Sequence, residues 1–173
     1  MALIKSVRGF TPKMGEDCWL AENSTVVGEV IMGDQCTVWF NAVIRGDVNY
    51  IKIGDRTNIQ DNATIHGTYE KAPTNIGSDV SIGHNAMVHG CTLEDQVLIG
   101  MGAMVMDGAV VKTGAIVAAG AVVLENTVVE SNTIYAGVPA RKVKDVEGKN
   151  REMLLRIANN YIKYANWFKD ESN

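Results

Sequence analysis

Aliphatic residues recur at every sixth position along most of this chain, with polar or small residues between them. The first run is Leu20, Val26, Met32, Val38 and Ile44; the second is Ile53, Ile59 and Ile65; the third is Ile76, Ile82 and Val88. The longest starts at Ile99 and passes through Val105, Val111, Val117, Val123 and Val129, with Tyr135 closing it. Four residues after most of these stands a small or β-branched residue, such as Cys36, Ala42, Thr57, Ala63, Ala86, Ala103, Ala109 or Ala115. A period of six is no multiple of 3.6, so it does not fit an amphipathic helix, and it does not suit one hairpin per repeat. It fits a short strand plus a turn, carrying one large and one small inward residue. Three such units close one coil of a triangular parallel β-helix, an architecture built from hexapeptide repeats. The pattern leaves the hand of the coil open.

The phase breaks at three places. Three extra residues lie between Ile44 and Ile53, and five between Ile65 and Ile76; from Val88 to Ile99 the step is eleven. Insertions in a solenoid map to surface loops that are often functional, and these breaks adjoin histidines. Beyond residues 135–144 the character changes. Met153, Leu154, Ile157, Tyr161, Tyr164 and Phe168 follow three- and four-residue spacing, the apolar stripe of a helix. The expected organisation is an all-β solenoid over 1–145, with a helix over 146–173 folded back along it as one structural unit.

Composition narrows the function. At 173 residues the chain suits one domain with a proper core. A net charge of −4 suggests no nucleic-acid or anionic-membrane partner. No apolar run is long enough to span a bilayer, and the N-terminal MALIKSVRGF lacks the apolar stretch of a signal peptide. Three cysteines, Cys18, Cys36 and Cys91, form no disulfide framework, so a reduced, cytoplasmic protein is expected.

The chemistry concentrates in three histidines, His66, His84 and His89. His66 follows Ile65 and His89 follows Val88, so the two share a corner one coil apart if the 66–75 excursion replaces one turn. Adjacent coils lie about 4.8 Å apart, and two imidazoles so placed can share one metal through bonds of about 2.1 Å. His84 follows Ile82 by two and sits on another corner, on the order of 15 Å away along a strand. Either it is unrelated, or it serves the metal site of a neighbouring subunit in a closed ring such as a trimer. The same frame puts Arg45 and Asp47 on the corner of His66 and His89, and Gln60 on the corner of His84, one coil below it.

The combination of RGD (45–47), NIQDN (58–62), His66 and GHNAMVHG (83–90), on a hexapeptide β-helix with a C-terminal helix, resembles the γ-class carbonic anhydrases over nearly the whole chain. The resemblance implies a left-handed β-helix and a homotrimer with a divalent metal at each interface, zinc first, with Fe²⁺ or Co²⁺ as alternatives. It assigns the ligands as His66 and His89 from one subunit and His84 from the next. It further implies an interface pair for Arg45 and Asp47, a Gln60 that orients the metal-bound water or CO₂, a pocket-lining Asn58, and Tyr161 over the site. The implied activity is reversible hydration of CO₂ to bicarbonate, a lyase reaction. Three neutral imidazoles leave an open position for water, and the metal lowers the pKa of that water to about 7. The chain departs from the best-studied branch of the family, which carries proton-transferring acids where this chain has Val48 and the loop 67–75, whose one acid is Glu70.

Plainer roles stand beside these. The histidines can be hydrogen-bonded surface groups, Arg45–Asp47 a structural salt bridge, Asn58 and Gln60 a polar ladder, and Tyr161 and Tyr164 helix core. Cys91, two residues past His89, is either a soft ligand or a small buried residue. The competing functions are a hexapeptide acyltransferase, a class that shares the ending AGVPAR (136–141), a thioesterase acting on CoA thioesters, and a non-catalytic metal-bound trimeric scaffold.

Overall fold

The inward aliphatics of the six-residue pattern stack on the axis of one prism. In the computed structural model, which describes residues 1–171, short parallel strands wind into about seven turns of a left-handed β-helix. One face stacks Ile44, Ile65, Val88, Val105 and Val123 in register. The second stacks Ile53, Ile76, Leu93, Val111 and Val129. The third stacks Leu20, Val38, Ile59, Ile82, Ile99, Val117 and Tyr135. The first two faces share one 12-stranded sheet, because Thr25–Met32 and Val43–Ile53 run round the corner between them. The third is an 8-stranded sheet closed by the antiparallel strand Arg141–Asp145.

The second residue of each unit is small because it sits where neighbouring faces meet inside the prism. Ala42, Ala63, Ala103, Ala109, Ala115 and Ala121 are all 0% exposed. Two further positions explain the glycines and asparagines. The third residue after the aliphatic turns the corner at positive φ, as at Asn62 (60°), Asn85 (59°), Gly108 (70°) and Asn126 (59°). That region strains most L residues, while glycine and asparagine enter it readily. The residue directly after the aliphatic is glycine where coils approach closely: a Cβ on Gly83 would lie 2.8 Å from the Ile99 carbonyl oxygen and the Met101 nitrogen.

Two of the three phase breaks are outward loops. Residues 47–50 bulge between Gly46 and Ile51, and 67–73 leaves the prism and is pinched by a bridge between Thr68 and Ala72. The third is a shortening. Leu93 lies five residues after Val88 and fills the inward position at 1% exposure, so this coil lacks one residue and makes no loop.

The helix Gly148–Glu171 packs on the third face. Residues 172 and 173, expected to extend it, lie outside the described residues. Its deepest contacts are Leu154, Ala158 and Ala165, at 3%, 0% and 1% exposure, whereas Ile157, Tyr161 and Tyr164 of the expected stripe are half-buried. Small side chains mark the closest approach, and the aromatic rings pack to the side of it. Phe168 is exposed, yet its ring meets Trp19, Trp39 and Phe40. Under this cover, the outward-facing Thr37, Asn58, Ser81 and Ile116 of the third face become buried. Among the described residues no helix is long and apolar enough to cross a membrane.

Candidate metal centre

The two coil-stacked histidines meet as the phase requires. His66 and His89 are direct register partners on adjacent strands. Their rings stand 5.1 Å apart, and Nδ1 of His66 lies 3.1 Å from Nε2 of His89. Each ring's other nitrogen faces a carboxylate: His66 Nε2 lies 3.1 Å from Asp47, and His89 Nδ1 lies 2.6 Å from Asp107. A carboxylate only accepts, so both of those ring nitrogens carry the proton. In the neutral rings, His66 Nδ1 and His89 Nε2 then bring two lone pairs together with no proton between them. That arrangement calls for a cation. Two bonds of about 2.1 Å in tetrahedral geometry place their nitrogens roughly 3.4 Å apart, close to the separation here. The donor set therefore fits a divalent metal.

His84 stands on the other corner. Its Nδ1 lies 2.8 Å from Asp61 and its Nε2 lies 3.4 Å from the Tyr161 hydroxyl. Its lone pair is thus at Nε2, directed away from its carboxylate in the same manner. Among the described residues, no three His, Cys, Asp or Glu side chains of one chain are grouped to hold a metal ion. His66 and His89 thus sit on one corner of the chain and His84 on another.

Charge around the stacked pair follows from the same contacts. Burial opposes ionisation of Asp47, but hydrogen bonds from Arg45 (2.6 Å) and His66 outweigh it and hold the carboxyl below its ordinary range. Asp107 behaves likewise: burial works against the charge, and Thr68 and His89 overcome it. Desolvation, helped by nearby Arg45 and His89, lowers the pKa of His66 despite Asp47, which favours the neutral ring. Burial pushes the Tyr161 phenol up to about 12, with Asp61 adding to the effect, so it remains a proton donor.

The remaining expected residues divide. Arg45 lies beneath His66 and half-exposed, paired to Asp47. Asn58 is buried in a polar ladder, donating to the Ser81 hydroxyl at 2.8 Å and accepting from Gln60 at 3.0 Å. That bond uses the Gln60 amide nitrogen and leaves its oxygen as an acceptor toward the helix-covered cleft. The cleft, about 420 Å³, is lined by Gln60, Gly83, Met101, Ala119, Tyr161 and Tyr164 among others. The six-residue phase sets Gln60 one coil below His84, but the ladder pairs Gln60 with Gly83, and the residue beneath His84 is Asp61. Cys91 is a core residue at 2% exposure whose thiol burial raises to about 12, so it is no ligand.

Asp61 and Asp107 were not singled out from the sequence. Asp107 lies beside Gly90, one position past the residue stacked on His89, because the shortened coil steps Val88 onto Val105; for Asp61 the signal is present in the coil length, since His89 is 23 residues past His66, a step that includes the five-residue excursion. The same step of 23 separates Asp61 from His84.

The bacterial transferase hexapeptide model matches residues 11–46, and the hexapeptide repeat of succinyl-transferase matches 73–107 and 94–125. Protein YrdA of Escherichia coli (strain K12) is 39% identical, covering 99% of this chain and 96% of that protein. The probable carbonic anhydrase of Methanocaldococcus jannaschii is 49% identical, covering 84% of this chain and 91% of that one. The chain belongs to the γ-carbonic anhydrase-like family of hexapeptide-repeat proteins. The crystal structure of a putative acetyltransferase of Bacillus cereus superposes with a TM-score of 0.94 at 34% identity, covering 98% of each chain. In this γ-carbonic anhydrase-like chain, the family's hexapeptide core therefore carries, on adjoining coils, three histidines each tied to a carboxylate.

Proposed function

We propose that this protein is a metal-dependent carbonic anhydrase of the γ type, hydrating CO₂ to bicarbonate at the junctions of a homotrimer. The observation that carries the reading is the His66–His89 pair, whose ring nitrogens face each other at 3.1 Å between two carboxylates. His66 and His89 of one subunit and His84 of the next would hold the ion, zinc first, with Fe²⁺ or Co²⁺ as alternatives. When bound, the metal supplies a water acidified to near neutral pH.

The protein's groups do the remaining work. Asp47, Asp107 and Asp61 fix the three ring tautomers and aim the lone pairs. Gln60, anchored by Asn58, accepts from the attacking water and sets its orientation. Arg45 neutralises Asp47 and offers its remaining N–H groups to bicarbonate. Tyr161, a neutral phenol beside His84, would offer its O–H to a bound ligand on the cleft side in place of His84 Nε2. The names of the carbonic anhydrase relatives support this assignment.

The test is metal content and CO₂ hydration on purified protein loaded with Zn²⁺, Fe²⁺ or Co²⁺. One ion per junction and a hydration rate abolished in His66→Ala are expected. Metal uptake without turnover would favour a scaffold, and no uptake would end the metal reading.

The cleft supports a second reading. Its volume far exceeds what CO₂ requires, its lining is mostly apolar, and the Bacillus cereus neighbour is named a putative acetyltransferase. An acyl thioester, transferred or hydrolysed, would suit it. Acyl-CoA turnover measured on the same metal-loaded protein separates the two: turnover without CO₂ hydration would favour the acyl reading, and CO₂ hydration without acyl-CoA turnover would end it.

A further inference from the structure

The carboxylate behind His89 is itself held from the 67–73 excursion. Asp107 Oδ1 accepts from His89 Nδ1, while Asp107 Oδ2 accepts from the Thr68 hydroxyl. Thr68 is anchored in turn: Asn49, in the first outward loop, donates to its carbonyl oxygen at 3.1 Å, and Thr68 bridges Ala72 across the excursion. Both oxygens of Asp107 are thus engaged, and the carboxylate has one orientation available. The two insertions that interrupt the hexapeptide phase converge on this single side chain.

We infer that Asp107, clamped by Thr68, is the positioning residue that holds His89 as the Nδ1–H tautomer and keeps its Nε2 lone pair turned toward His66. The 67–73 excursion then works as a latch on the metal site, with Thr68 as its catch. A plain surface ion pair makes a different statement: His89 would be a cation with both nitrogens protonated and no lone pair to offer. Asp107 leaves the chemistry to others. It acts through His89, and carboxylates placed behind a metal-binding imidazole in this way fix its tautomer and raise its basicity.

The tautomer is measurable on metal-free protein and does not depend on the metal reading. Long-range ¹H–¹⁵N NMR, run where the ring is neutral, should show the His89 proton at Nδ1, and Asp107→Ala should shift it toward the Nε2–H form. The metal arm rests on the proposed function. In competition with a chelator, Asp107→Ala should bind Zn²⁺ about 10–100-fold more weakly than wild type. Thr68→Val should weaken it in the same direction by less. Asp107→Asn, whose amide oxygen can still accept from Nδ1, should recover most of the loss. Glu130→Gln, which breaks the exposed Lys112–Glu130 pair elsewhere on the prism, serves as a control with unchanged affinity.

A neutral wild-type His89 ring protonated at Nε2 overturns the inference. So does an Asp107→Ala protein that binds Zn²⁺ as tightly as wild type. Should Asp107→Ala fail to fold, the wild-type tautomer and the Thr68→Val affinity decide the question alone. A wild-type protein that takes up no metal would sink the functional reading, and the tautomer would still decide this one.

Discussion

Mixing two inactive variants tests the split site most directly. His84→Ala removes the ligand on the helix-covered corner, and His66→Ala removes half of the pair on the other. Within one chain, these corners are separated by a strand of about five residues, on the order of 15 Å, and His84 is engaged by Asp61 and Tyr161 on its own side. No side-chain rotation brings it to His66. On the proposed reading, a junction needs His66 and His89 from one subunit and His84 from the next, so each variant alone has no intact junction. In a three-membered ring containing both variants, one junction always joins an intact pair to an intact His84. Random assembly from equal amounts gives mixed rings in about three quarters of cases, so about one quarter of all junctions are restored. Co-expression followed by metal analysis and a CO₂ hydration assay reads that fraction. Recovery near one quarter of wild type is the expected result. No recovery in rings shown by mass to be mixed, or full metal retention by His84→Ala alone, would refute the reasoning.

Three other outcomes follow from the same contacts. Cys18 should be alkylated by iodoacetamide with a midpoint of about 7, because the Cys36 thiol stabilises its thiolate against the opposing effect of burial; Cys36→Ala should raise that midpoint, and an unchanged midpoint would contradict the assignment. Ile99→Ala should cost about 2–5 kcal/mol in urea unfolding at fixed protein concentration, since Ile99 is fully buried on the prism axis and its cavity cannot collapse. Arg45→Ala should raise the Asp47 titration midpoint, because burial then opposes ionisation with less compensation. In wild type the depressed Asp47 pKa contributes stability that is present above the ordinary carboxylate range and lost as pH falls through the folded value. The variant should lose less over that acid window, and an NMR titration showing no movement of Asp47 would count against the pairing.

The site was partly visible before the fold. His66 and His89 could be paired from the chain alone, because a solenoid turns sequence separation into height along an axis. The same arithmetic was available for Asp61, one coil below His84, whereas Asp107 reaches His89 from beside the next position, Gly90. They escaped notice because an acid on a repetitive surface carries no mark of its own, and only its contact with a histidine distinguishes it. Cys91 shows the reverse: its nearness to His89 in sequence suggested a ligand, while the alternation of the strand points it into the core.

By itself, the sequence determined the coil. Steric rules on inward and outward positions act locally, so the six-residue phase, the small second residue and the glycine and asparagine corners specify the prism without knowledge of any distant contact. The tertiary structure decided what depends on insertions and on packing between separate elements. It showed the step from Val88 to Ile99 to be a shortened coil filled by Leu93. It placed Ala158 and Ala165, in preference to the tyrosines, at the closest approach of the helix. It also brought Thr68 from an irregular loop onto Asp107. Loops and helix docking answer to shape complementarity across long sequence separations, and no repeat period encodes that.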